Sequence, residues 1–297
     1  MTILTNIYFI GGIKMRKHPK EPLEILKIPL GVDEELFISE RCKLYTQKMT
    51  AAEFNLDLDY VNMIYKKYNI SRYLSSIKSK NIRINPFQEQ IIISGVIGDG
   101  RIKSNGNSFY YEECHKIIDE RQYCEWKYFS LGDLTRGVRM SGKNFNNKDG
   151  NAINFQTVTT PLLSPYYYMK YDLSQAISRL TTVGLMLLIL DDGWFSRHSH
   201  SGNFCLAGGM MTEYDMELLC ERYRSIGIEC SIVYHNKKKG TKDISFSSKS
   251  NMAILNFTSM FLPLTMDICQ KKFGYILSTL DSYNPQPNGN CMLRYNK

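Results

Sequence analysis

Two short stretches of the chain end alike. Ile92-Ile93-Ser94-Gly95-Val96-Ile97-Gly98-Asp99-Gly100 is an apolar run closing on Asp-Gly. Leu185-Met186-Leu187-Leu188-Ile189-Leu190-Asp191-Asp192-Gly193 repeats that form, with its final acid 93 residues after Asp99. An apolar helix ending in a carboxylate and a glycine delivers the carboxylate to one edge of a core. Done twice, this brings two carboxylates to one point, an arrangement that can hold a divalent cation over a phosphodiester.

The surrounding sequence repeats with the runs. After Asp99-Gly100, the alternation of Arg101-Ile102-Lys103-Ser104, the turn Asn105-Gly106-Asn107 and Ser108-Phe109-Tyr110-Tyr111 read as a hairpin. A helix is expected from about His115 to Leu134. A second hairpin then runs from Arg136-Gly137-Val138-Arg139 through Lys148-Asp149-Gly150 to Ile153-Asn154-Phe155, and a helix covers about Pro165 to Leu180. The second round supplies Trp194 to His198, the turn Ser201-Gly202-Asn203 and Phe204-Cys205-Leu206. Thr212 with Asp215 forms a capping-box start for a helix to Ile226. Cys230 to Tyr234 pairs with Asp243 to Phe246 through Asn236 to Gly240, and a helix covers about Lys249 to Phe261. The expected fold is α+β, a duplicated αββαββα unit with two antiparallel sheets.

Ahead of the repeats, residues 41–70 read as a small helical unit. A helix from Arg41 to Phe54 carries Leu44, Met49 and Phe54. Asp57 or Asp59 then caps a second helix bearing Val61, Ile64 and Tyr65. The pair resembles a helix-turn-helix, with Asn55-Leu56-Asp57 where a glycine often stands; a solvated helical hairpin is the alternative. Lys78, Lys80, Arg83 and Asn85-Pro86 form a basic linker. The expected division is 1–86 for this unit and linker, 87–180 for the first repeat, and 181–297 for the second repeat and tail.

Composition narrows the partners. Lys plus Arg number 37 against 29 Asp plus Glu, a net charge of +8 that suits a polyanion. The 20 Tyr and 14 Phe are mostly core and strand material. Eight Cys show no C-x-x-C pair and no even spacing, so reduced thiols are expected; Cys114-His115 with Cys124 is a poor ligand set. No apolar run approaches the ~20 residues of a membrane span, and Thr2 to Ile13 makes a poor signal peptide. Met15 is an alternative start. A cytoplasmic or organellar protein without a membrane partner is expected.

The two motifs, with Leu180-Thr181-Thr182 twelve residues before the second acid, resemble those of the LAGLIDADG homing endonucleases in their single-chain, two-motif form. The likeness covers residues 87 to about 277. It implies two signature helices packed side by side at a pseudo-twofold axis, with Asp99 and Asp192 at their bottom. It implies Mg²⁺ or Mn²⁺ held by those acids, with backbone oxygens of Gly98 and Asp191 as extra ligands and the Asp191 side chain turned away. Small residues Ser94, Gly95 and Gly98 would line the contact on the first helix, opposite the bulky Met186, Leu187 and Leu188. A basic residue in each half would stand near the scissile phosphate: Lys170 in the first, Lys271 in the second with Lys272 as rival.

The saddle formed by the two sheets would lie along double-stranded DNA. Arg101, Lys103 and Tyr110 face the groove in the first half, and Trp194, Ser196 and His198 in the second. Arg136, Arg139, Lys143, Lys148, Lys237 and Lys238 lie on or beside outer hairpins. The implied activity is a monomeric, site-specific enzyme cutting one phosphodiester per strand, whether its gene is intron-encoded or free-standing. The alternatives are a non-cleaving maturase on intron RNA, a DNA-binding regulator, and an unrelated α+β protein. Intein splicing lacks its terminal residues.

Overall fold

A computed structural model describes residues 28, 30–70, 82–135, 138, 140–141, 152–196, 202–209, 211–236 and 240–282. Three helices come first: α1 (Glu34–Leu44), α2 (Gln47–Phe54) and α3 (Leu58–Lys67). The spacing of Leu44, Met49 and Phe54 reads as one helix over Arg41–Phe54, but the chain straightens at Tyr45 and the helix before it begins at Glu34. The reason is pairing. Met140 donates its N–H to Leu44 at 2.9 Å, and Thr46 donates to Met140 at 3.2 Å, so the break docks the helices on the first repeat. The α2–α3 turn places Asn55 at φ 52°, a left-handed conformation that asparagine tolerates, which explains the missing glycine. Asp57 caps α3 by accepting from the Asp59 N–H at 2.6 Å.

The first repeat contains α4 (Pro86–Ile97), β1 (Arg101–Asn105), β2 (Ser108–Lys116), α5 (Ile117–Ser130), β3 (Ala152–Gln156), α6 (Ser164–Met169) and α7 (Leu173–Ser178). Its sheet is antiparallel in the order β1-β2-β3. The second repeat contains α8 (Thr182–Asp192), β4 (Gly193–Ser196), β5 (Asn203–Ala207), α9 (Glu213–Ser225), β6 (Cys230–Asn236), β7 (Thr241–Phe246) and α10 (Asn251–Ser259). Its antiparallel sheet runs β4-β5-β7-β6, and α11 (Asp267–Ser282) follows.

Three expected elements change. His115 belongs to β2, because Phe109, Tyr111, Glu113 and His115 are all buried while their neighbours are not. Two of those inward residues are polar, which hides the alternation from hydropathy. The helix expected over Pro165–Leu180 divides at Lys170–Asp172, where Asp172 caps α7 by accepting from Gln175. Of the strand expected at Arg136–Arg139 only Val138 lies among the described residues; it donates to the Thr135 carbonyl, and Ser141 exchanges two 2.9 Å bonds with Asn154. The fourth strand of the first sheet is thus a single bridge among the described residues. The sequence reading left α11 out.

Helices α4 and α8 pack together at the centre, within a core spanning both repeats. Each starts from a defined stop. Asn85 and Gln88 form a reciprocal capping box at α4, with Pro86 in the first turn. Gln90 of α4 then accepts from the Thr181 N–H at 2.8 Å and donates to the Arg179 carbonyl at 3.1 Å, so it caps the start of α8. Of the small residues expected at the contact, Gly98 does face α8, whereas Gly95 serves a different neighbour. Gly95 receives the ring of Tyr111 from β2, and on α8 it is Gly184 that lets Gln90 approach. Among the described residues no helix is long and apolar enough to cross a membrane.

Candidate active site

The two acids meet where α4 and α8 end. Asp99 follows Gly98, and a side chain at Gly98 would stand 2.7 Å from Oδ2 of Asp192 and 3.4 Å from Cβ of Asp191. A side chain at Gly98 would have to push the Asp192 carboxylate aside. The glycines after the acids have the same kind of reason. A Cβ at Gly100 would lie 2.5 Å from the Tyr111 hydroxyl, and one at Gly193 would strike the last turn of α8 at Ile189. Asp-Gly is written here for close approach and not for a left-handed backbone.

Electrostatics mark the pair. Burial, then the Asp191 charge, pushes the Asp99 carboxyl up to about 6. Burial, then the charges of Asp99 and Asp191, pushes Asp192 up to about 7. Carboxylates crowded in this way gain from a cation. Among the described residues no group of three or more His, Cys, Asp or Glu side chains converges on a metal position. A hard cation such as Mg²⁺ is commonly held by one or two carboxylates with water and substrate phosphates completing its shell. The two acids fit that donor set.

Asp191 does something else. Its carboxylate accepts from Lys127 Nζ at 2.7 and 2.9 Å and from the Tyr123 hydroxyl at 2.8 Å. Lys127, fully buried on α5, also donates to Glu113 at 2.5 Å. Burial works against the Lys127 charge, but Asp191 and Glu113 outweigh it and raise its pKa. Glu113 is likewise resisted by burial and held down to about 2 by Lys127 and His115. His115 stands 3.3 Å from Glu120, which Lys271 contacts at 2.5 Å on the outside. The chain of charges ties the end of α8 to β2 and α5 of the other repeat.

The structure places the three candidate lysines differently. Lys170 is exposed and lies over the rings of Tyr167 and Tyr171, 3.9 and 4.6 Å from their centres. It sits at the break between α6 and α7, and the tyrosines hold it there. Lys271 points to Glu120. Lys272 is the residue brought to the acids: it donates to the Gly193 carbonyl and, at 3.4 Å, to that of Asp191. Burial, then Lys271, lowers its pKa. The Asp191 carbonyl is therefore engaged by Lys272. A groove lined by Gly193, Trp194, Phe195, Lys271, Lys272 and Tyr275 opens beside it.

The outer sheet faces carry several of the expected contact residues. Ile102 is buried while Arg101 is exposed, and Lys103 on the same outer face pairs with Glu112 at 2.6 Å. Tyr110, opposite Lys103, is half-buried. In the second sheet Phe195 packs on Phe204 and Tyr275, which leaves Trp194 and Ser196 on the opposite face. Arg136, Arg139, Lys143, Lys148, His198, Lys237 and Lys238 lie outside the described residues.

Lys127 escaped sequence reading and Lys272 stood there only as the rival of Lys271, though each carried a signal. Tyr123, Lys127 and Leu131 fall at four-residue steps, so Lys127 shares a buried helical face. Ile268, Lys272 and Ile276 do the same on α11, whose start after Asp267 went unread.

Comparison with known proteins bears on the fold and the family. The homing endonuclease I-WcaI, solved bound to its DNA recognition sequence, shares the fold with a TM-score of 0.52 and 19% identity, covering 67% of this chain and 95% of that one. I-DmoI in complex with DNA and Ca matches at 0.42 and 12% identity, covering 61% and 91%. The N-terminal LAGLIDADG domain of DUF199/WhiA matches at 0.36 and 14% identity, covering 63% and 95%. No curated protein gives a significant match. The model of the LAGLIDADG DNA endonuclease family matches residues 89–255, more than half of the sequence, and the chain belongs to that family.

Proposed function

We propose that this chain is a site-specific DNA endonuclease that breaks both strands of a long duplex target. The observation that carries the reading is the convergence of Asp99 and Asp192, with raised pKa values, at the ends of two packed apolar helices. The two acids would hold divalent cations, Mg²⁺ or Mn²⁺. When bound, these supply Lewis-acid activation of water and stabilise the leaving 3′ oxygen.

The chain's own residues do the rest. Lys272, with its lowered pKa, offers a proton and a positive charge on the Gly193 side of the acids. The Lys127–Asp191 pair holds the end of α8 so that Asp192 keeps its aim. Arg101, Lys103 and Tyr110 on one sheet, with Trp194 and Ser196 on the other, contact the duplex. Arg suits guanine edges and Lys suits phosphates.

The N-terminal helices would add a DNA contact in helix-turn-helix fashion. Support comes from the eight-residue α2, the left-handed Asn55 and the exposed Lys66 and Lys67 at the end of α3. Incubation with a randomised duplex library in Mg²⁺ and in Ca²⁺, with the cut ends sequenced, tests the function. Mg²⁺-dependent cutting at one long motif, lost in the Asp99→Asn, Asp192→Asn double variant, is expected. Selective binding without cutting would instead support a regulator or maturase.

A further inference from the structure

The outer face of the second sheet carries a feature outside the acid cluster. Strands β6 and β7 pair in register from Cys230 to Tyr234, and then the register shifts, so that Asn236 faces Thr241. His235 is the extra residue between these pairs. A bulge of this kind re-aims the bulged side chain. His235 Nδ1 stands 2.8 Å from Oδ2 of Asp243 on β7. Asp243 is itself fixed, because its Oδ1 accepts the Gly208 N–H at 3.2 Å.

Trp194 reaches toward the same point from the far edge of the sheet. Its ring meets His235 edge to face, with centroids 6.0 Å apart and planes at 89°. Between them, Cys205 and Ser245 stand in register on β5 and β7, small enough for two large rings to lie across them. The His235 side chain nevertheless keeps 61% of its surface exposed, whereas Asp243 is buried. An exposed imidazole held by a bulge, a buried carboxylate and an indole edge has lost rotamer freedom for no gain in core packing.

We propose that His235 reads a base edge in the second half of the target, with Asp243 as its positioning residue. The inference rests on the endonuclease reading, which lays this sheet face along the major groove. With the Nδ1 proton donated to Asp243, the neutral ring presents Nε2 as an acceptor. Its complement in the major groove is an exocyclic amino group, adenine N6 or cytosine N4. Trp194 would wall the ring on the side toward the acids.

The test compares wild type, His235→Ala and Asp243→Ala on the same randomised duplex library, with binding selected in Ca²⁺. Wild type is expected to prefer one base pair in the second half-site by about tenfold. Both variants are expected to lose that preference and keep the others. Thermal unfolding confirms that each variant is folded, and His235→Ala, at an exposed position, carries the test if Asp243→Ala does not fold. An unchanged profile in His235→Ala overturns the inference alone. Uniform weakening at every position also overturns it, since that marks a phosphate contact. Failure of wild type to select any duplex overturns the inference together with the function on which it rests.

Discussion

Replacing Asp192 by Asn should make the metal-free protein more stable at pH 8. Asp192 titrates near 7 in the folded chain, against an ordinary value of 3.8. The folded state therefore binds more protons than the unfolded state between those values, and stability falls as pH rises through that window. The loss is complete by pH 8. Three units correspond to about 4 kcal/mol, and partial solvent access reduces this to about 2 kcal/mol. Asn carries no charge, so the variant escapes the loss, and relief of Asp99 adds to the gain. For a domain of this size the expected rise in Tm is about 4–8 °C. The assay is thermal unfolding at pH 4 and pH 8, with and without Mg²⁺. At pH 4 the two proteins should nearly coincide. Saturating Mg²⁺ should reverse the order at pH 8, since a ligand at a hundredfold its Kd adds about 2.7 kcal/mol to wild type alone. A variant less stable than wild type at pH 8 without metal, or equally raised by Mg²⁺, would refute the reasoning.

Other perturbations follow from the same contacts. Lys127→Met leaves Glu113 and Asp191 as buried carboxylates without their cation, and should cost about 3–5 kcal/mol in denaturant unfolding. Gly184→Ala places a methyl group against the Gln90 amide and 2.7 Å from a Leu180 methyl, and should cost about 1–3 kcal/mol by the same measurement. His115 is raised to about 9, since the carboxylates of Glu113 at 3.8 Å and Glu120 at 3.3 Å overcome burial. Its contribution is whole below about 6.5 and fades as pH approaches 9; a stability–pH curve that declines over this range in wild type and flattens in His115→Gln is expected. Lys272→Met should lower single-turnover cleavage by about a hundredfold with duplex affinity unchanged, and Lys271→Met should leave cleavage within a few-fold.

Much of the fold was legible because local signals and tertiary demands agree. Apolar runs with Asp-Gly ends specify α4 and α8, and the Thr212–Asp215 capping box specifies α9. Where they disagree, reading failed. β2 turns Glu113 and His115 inward because Lys127 waits there, so a strand that binds a buried cation loses its hydrophobic alternation. α1 and α2 separate at Tyr45 because Met140, nearly a hundred residues away, bonds the backbone of Leu44 and Thr46 on either side of it. No local pattern records such a partner. The acid pair was readable outright, while Lys272 stood only as the rival of Lys271: Asp99 and Asp192 terminate helices, whereas Lys272 lies inside one and gains its place from the fold of α11 over Gly193.

The central claim is that Asp99 and Asp192 together hold divalent metal against DNA. Anomalous diffraction from Mn²⁺, in crystals of the chain with its selected duplex, tests it most directly. Metal density within about 2–2.5 Å of both carboxylates, shared with the phosphates at the cut positions, is the expected result. Density held by other side chains, with Asp99 and Asp192 unliganded while the duplex is bound, would contradict it.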